Sequence, residues 1–179
     1  MGFHHVAIAT RDLDATHRFY TEAMGFELVK TNVAPTGNPG GGWAKHLFYD
    51  TGDGTLIAFW ELHDDTLPDA FDTAISTGLG LPEWVNHLAF DAPSLDDLGA
   101  AARRWQEAGI TVIELDHGWC TSIYATDPNG VLVEFCCTTV AFTEADAAEA
   151  ERLRTDPAPP LEELARMRFL PALEPHAAP

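Results

Sequence analysis

The stretch His5-Val-Ala-Ile-Ala-Thr-Arg-Asp-Leu-Asp14 lies in register, without a gap, over His87-Leu-Ala-Phe-Asp-Ala-Pro-Ser-Leu-Asp96. Each copy opens as a short alternating strand, turns at polar residues and enters an amphipathic helix. In the first helix Ala15, Phe19, Ala23 and Met24 share a face; in the second, Leu95, Leu98, Ala102 and Trp105 do. Ser94 and Asp97 have the spacing of a capping box, and Gly25 and Gly109 stand where left-handed C-caps belong.

Three strands are predicted after each helix. They run over residues 27–31, 45–50 and 55–62 in the first half and 111–116, 121–126 and 131–138 in the second, with turns at Gly52-Asp53-Gly54 and Asp127-Pro128-Asn129-Gly130. Each half is therefore a βαβββ unit. One such unit leaves a sheet face uncovered, so two are expected to pack together. The predicted fold is α+β: two βαβββ modules form a curved mixed sheet around a central metal site, with a C-terminal helical tail. The divisions are 1–62 for the first module, 63–84 for a linker, 85–139 for the second module and 140–179 for the tail. The tail reads as an acidic helix from about Thr143, a Pro-rich break at 156–160 and another short helix. The Gly-rich loop from Thr36 to Trp43 is flexible by composition and suited to covering a site. It lacks the strand–helix context of a phosphate cradle.

The composition narrows the function classes. Apolar residues at 46% and charged residues at 21% suit an ordinary globular chain of 179 residues. Ten basic against 28 acidic residues, a formal charge of −18, disfavour nucleic acid and anionic membrane as partners. No apolar run has the length of a membrane span, and no basic-then-apolar leader opens the sequence. The three cysteines, Cys120, Cys136 and Cys137, form no C-x-x-C pair and read as reduced thiols. Cytoplasm is the expected compartment.

Three features carry chemistry. His5 and His87 hold one position of the repeat, which places them for a shared role across a pseudo-twofold axis. His4 is the neighbouring competitor, but Asn86 occupies its place in the second copy. Glu134 lies in the apolar run Val131-Leu-Val-Glu-Phe-Cys-Cys137, where a carboxylate is costly to bury unless it is paired or bound to metal. Two imidazoles and one carboxylate make a ligand set that leaves metal positions open. In the hairpin from His117 to Glu134, a bulged loop with Gly130 left-handed pairs Asp127 with Val131 and sets Tyr124 opposite Glu134. A four-residue loop turns Tyr124 away.

The segment from Phe3 to about Thr139 resembles the vicinal-oxygen-chelate superfamily, which includes glyoxalase I, bleomycin-resistance proteins and type I extradiol ring-cleavage dioxygenases. Its hairpin is similar to the extradiol signature: His117, then Ile123-Tyr124, Asp127-Pro128-Asn129-Gly130 and Glu134, with Leu115 as an unusual residue two before the histidine. The resemblance implies that Glu134 joins His5 and His87 as metal ligands and that His117 and Tyr124 bond substrate or oxygen. It also implies Fe(II), or alternatively Mn(II) or another divalent metal, a homodimer, and a small aromatic diol with O2 as substrates. Glyoxalase I has a further carboxylate ligand, and laying Gly54–Ala58 over Gly130–Glu134 puts Ala58 at its place. Three ligands suit oxygen chemistry better than a four-ligand isomerase site. The acid–base histidine of the dioxygenases falls at Thr55, leaving His46 or His117 for that role. The expected function is an extradiol oxidoreductase of aromatic catabolism. The alternatives are a metal-dependent lyase, isomerase or epimerase, or a metal-free small-molecule binder.

Overall fold

The computed structural model describes residues 2–68, 70–162 and 166–174. In the first module β1 (His5–Thr10) leads into α1 (Leu13–Arg18), which is N-capped by Asp12 and widens into a π-helical turn at Phe19–Ala23. Gly25 follows with φ +78°, closing the helix as its lack of a Cβ allows. Then come β2 (Glu27–Pro35), β3 (Trp43–Asp50) and β4 (Leu56–His63). The second module repeats this with β5 (His87–Asp91), α2 (Leu95–Glu107), β6 (Val112–Asp116), β7 (Cys120–Thr126) and β8 (Leu132–Thr138). The Ser94 side chain accepts from the Asp97 amide at the start of α2, as its spacing implies.

The strands make two sheets, ordered β1-β4-β3-β2 and β5-β8-β7-β6-β9. The α+β class and the doubled βαβββ plan are those read from the repeat. The halves form separate four- and five-stranded sheets instead of one continuous sheet. Their registers superpose: β1 runs parallel to β4 with His5 beside Leu56, and β5 runs parallel to β8 with His87 beside Leu132.

The tail departs from expectation. Its helix α3 (Glu144–Thr155) starts at Thr143 with a complete capping box to Asp146. Residues 163–165 of the second expected helix lie outside the described residues, and Arg166–Leu170 is strand β9, paired antiparallel to β6. Arg166-Met-Arg-Phe-Leu170 alternates charge with apolar bulk, the period of a strand. The fork of Arg168 on Glu114 fastens it. The loop after β2 is tied down as well: the Asn38 amide donates to Asp64 at 2.7 Å, and Thr36 donates to the same carboxylate.

One core joins the modules. Tyr20, Met24, Phe26, Tyr49 and Phe59 from the first pack with Leu98, Trp105, Ile123, Val133 and Phe135 from the second. Phe26 meets Phe90 edge-on at 5.0 Å. Arg104 of α2 donates to the carbonyls of Ala23 (2.7 Å) and Met24 (2.9 Å) at the end of the first helix. The β7–β8 turn is locked to α1 by a buried polar knot: Tyr20 donates to Asp127 at 3.0 Å and Asn129 donates to Thr16 at 3.2 Å.

This packing decides where the two repeated histidines go. The β7–β8 turn, beside His87, sits against α1 near the end of β1. The β3–β4 turn, beside His5, shares a cavity wall with Asp91 and Pro93 at the end of β5. His5 and His87 therefore stand at opposite ends of the paired modules. Five strand residues at about 3.3 Å each separate those ends by on the order of 15 Å.

Candidate metal centre

The centre is built on the face of the second sheet turned away from the core. Along β8, Val133 and Phe135 point inward, so the pleat sends Leu132, Glu134 and Cys136 to the opposite face. Gly130, with φ +74°, lets its amide reach the Asp127 carbonyl at 3.0 Å, while Asp127 and Val131 close the hairpin at 2.9 Å. That loop puts Tyr124 directly opposite Glu134, the arrangement the bulged reading implies.

Parallel pairing places Ala89 beside Glu134, and two residues back on β5, on the same face, is His87. Its Nε2 lies 3.1 Å from the Glu134 carboxylate, and its Nδ1 is 3.0 Å from the Trp84 carbonyl. A carbonyl can only accept, so Nδ1 donates to it, and Nε2 is the ring nitrogen turned toward Glu134. That second contact is how metal-ligating imidazoles are usually held. Glu134 is 5% exposed, where a carboxylate without a cation is costly. This nitrogen and oxygen pair fits a divalent metal.

The flanking residues supply proton chemistry. His117 Nε2 lies 3.2 Å from the Tyr124 hydroxyl. Desolvation raises the Tyr124 phenol well above its ordinary range, with the Glu134 charge adding to it and a hydrogen bond with Ser122 opposing. The phenol stays protonated at neutral pH and can donate. The same face carries Cys120, Ser122 and Cys136, which nothing in the hairpin motif singled out. Burial, with Cys136 alongside, pushes the Cys120 thiol up to about 12. Only the alternation along β7, read together with its partner strand, could have found them.

His5 and His46 sit elsewhere. On the first sheet His5 has His46 at 6.0 Å and Phe48 at 5.4 Å between ring centroids, and its Nδ1 is 2.8 Å from that of His4. His46 is buried, stacked on Trp60 at 3.7 Å, and its Nε2 has no hydrogen-bond partner. Desolvation lowers its pKa, with the His5 charge adding to the effect. Within one chain the structure joins His87, Glu134, Tyr124 and His117, and holds His5 with His46 apart from them. Among the described residues no three His, Cys, Asp or Glu side chains converge as a metal cage. Register pairs Ala58 with Phe48 and with Ala7, matching Glu134 with Tyr124 and Ala89, so Ala58 does occupy the position of Glu134 in the first module.

A cavity of about 500 Å³ opens over the second sheet between Trp84, His87, His117, Tyr124, Leu115 and Met167. Among the tryptophans, Trp84 lines it. Phe59 is in the core, Trp60 stacks on His46, Trp43 on His63 and Trp119 on Phe142. The Thr36–Trp43 loop, expected as a cover, contributes nothing to this wall because Asp64 holds it beyond the end of β4. No helix among the described residues is long and apolar enough to cross a membrane.

Comparison with known proteins agrees with this architecture. A family model described as the Glyoxalase/Bleomycin resistance protein/Dioxygenase superfamily matches residues 2–135. The 3-methylcatechol 2,3-dioxygenase of Pseudomonas putida is 26% identical over 139 residues, covering 75% of this chain and 41% of that protein. The biphenyl-2,3-diol 1,2-dioxygenase of Paraburkholderia xenovorans is 28% identical over 142 residues, covering 75% and 40%. The chain thus spans about two fifths of the length of these relatives. Among solved structures, a glyoxylase/bleomycin resistance protein/dioxygenase domain from Frankia sp. EAN1pec superposes with a TM-score of 0.56 at 22% identity, over 77% of this chain and 98% of that one. Lactoylglutathione lyase from Agrobacterium tumefaciens superposes at 0.51 and 20% identity, over 76% and 92%. Matched from residue 2 to residue 135 of its 179, and folded as a doubled βαβββ unit, the chain belongs to the Glyoxalase/Bleomycin resistance protein/Dioxygenase superfamily.

Proposed function

We propose that this protein is an Fe(II)-dependent extradiol dioxygenase of a catechol-like diol, and that it works as a homodimer in which His5 of one copy joins His87 and Glu134 of the other. The observation that carries the reading is the His87–Glu134 contact at 3.1 Å, with the imidazole oriented by Trp84 and Tyr124 alongside. Bound there, Fe(II) supplies Lewis acidity and the one-electron chemistry that O2 requires. His87 and Glu134 hold the cation. Tyr124 donates its proton toward a substrate oxygen, and His117, at the other side of that hydroxyl, takes a substrate proton or holds the phenol in place.

The placement of the histidines supports a dimer. β1 and β5 are both edge strands, each with one neighbour, and His5 and His87 head these two open edges. A twofold partner that lays its first module against the second module of this chain makes two equal sites at once. Exposed Phe3, Val6, Trp84 and Val85 beside those edges suit burial under such a partner. Ala58 in place of a fourth ligand favours oxygen chemistry over an isomerase site.

The test uses two inactive variants, His5→Ala and Glu134→Ala, co-expressed with different tags and isolated as the heterodimer. Sites shared between copies leave one of two intact, so about half of wild-type diol-dependent O2 uptake is expected, with yellow product, after anaerobic Fe(II) loading. Sites confined to single chains give none, which refutes the shared site. Tight metal without O2 uptake in the wild type moves the function to a lyase, isomerase or epimerase. Absence of metal affinity moves it to a binding protein.

A further inference from the structure

We propose that the C-terminal strand β9 is a substrate-selecting wall, and that Met167 gives the site a preference for diols carrying an apolar substituent. This rests on the reading of the cavity as a diol site. Strand β9 lies beyond residues 2–135 that the family model matches, so the wall is outside the matched region.

The geometry is set by register. Across the sheet, Glu134 on β8 faces Tyr124 on β7, Tyr124 faces Ile113 on β6, and Leu115, two residues further along β6, faces Met167 on β9. Three strand spacings of about 4.8 Å and a two-residue offset of about 7 Å along the strand put the Met167 backbone about 16 Å from that of Glu134. The polar groups, His87, His117 and Tyr124, gather on the β5–β8–β7 side of the cavity, and Ile113, Leu115 and Met167 line the β6–β9 side. A diol held by its oxygens at the polar side leaves the far wall bare if it has a single ring. A second ring extends toward it.

Strand β9 is anchored although it lies at the sheet edge, and it carries Met167, 56% exposed, at the rim of that wall. On the opposite face Arg168 grips Glu114, and just beyond the strand Gln106 donates to the Pro171 carbonyl at 2.8 Å while the Leu173 amide donates to the Gln106 carbonyl at 2.9 Å. The unbranched thioether adapts to varied apolar shapes. A charged substituent has no partner on this wall.

Binding, read without turnover, tests the proposal. Quenching of tryptophan fluorescence, Trp84 lining the cavity, reports affinities for catechol, 2,3-dihydroxybiphenyl and the single-hydroxyl 2-phenylphenol under anaerobic conditions. The wild type is expected to prefer dihydroxybiphenyl to catechol by about ten-fold or more, and Met167→Gln to lose most of that preference while keeping its catechol affinity, as loss of an apolar contact allows. Met167→Ala should fall between, which separates polarity from size. An unchanged ratio in both variants overturns the wall and leaves the diol site standing. If the diols fail to bind but 2-phenylphenol binds in a Met167-dependent way, the diol reading falls and the wall holds. Binding of none of the three overturns both.

Discussion

Replacing Asp127 by Ala removes the centre of the polar knot that holds the β7–β8 turn. The carboxylate is 4% exposed and accepts four hydrogen bonds: from the Asn129 and Val131 amides at 2.8 Å each, and from the Tyr20 hydroxyl and the Asn129 side chain at 3.0 Å each. Tyr20 and Val131 have no exposed surface, so their donors gain no water in exchange. At about 1–3 kcal/mol for each stranded buried donor, these two alone cost about 4 kcal/mol. Against a total of roughly 5–15 kcal/mol this is a large loss, about 8–16 °C in Tm for a chain of this size. Urea unfolding followed by tryptophan fluorescence measures it. The pH dependence has a definite sign. Burial outweighs the donors and holds the Asp127 carboxyl above its ordinary range. A raised folded-state pKa means the carboxyl's contribution is complete below its unfolded value, about 4, and diminishes as pH rises through the folded one. The gap between wild type and variant should therefore narrow from pH 4.5 to 7. A loss below about 1 kcal/mol, or a gap that widens with pH, refutes the reasoning.

Two further tests probe the frame around the site. Two of the three tyrosines, Tyr20 and Tyr49, are fully buried, and desolvation raises both, Tyr49 to about 12 and Tyr20 with added repulsion from Asp127. With Tyr124 raised as well, absorbance at 295 nm should show almost no phenolate by pH 11, and the stability contribution of the buried pair is intact below about pH 10 and lost through the folded values. Two phenols ionising near their ordinary value in a chain with native circular dichroism contradicts the packing. Arg104→Met keeps the stem but strips charge-assisted bonds from the Ala23 and Met24 carbonyls, and about 2 kcal/mol of stability should go with them, read as a lower urea midpoint at unchanged slope.

What could be read from the residues was whatever repeats or is local. The match of His5–Asp14 with His87–Asp96 returns as identical registers, His5 beside Leu56 and His87 beside Leu132, because strand–helix–strand periodicity is written within each module. Of the two loops that Asp-Pro-Asn-Gly allows, the bulged one opposes Tyr124 and Glu134, since a hairpin's register follows from its turn. Alternation along a strand says that one face is buried, not what buries it. Which sheet faces which, and hence the distance between the repeated histidines, depends on contacts such as Thr16 with Asn129, 113 residues apart. The Trp84 carbonyl that orients His87, the stack of His46 on Trp60, and the pairing of β9 with β6 are likewise long-range or backbone facts. They come from how the modules close, and that closure minimises exposed apolar surface across the whole chain, a quantity no local window contains.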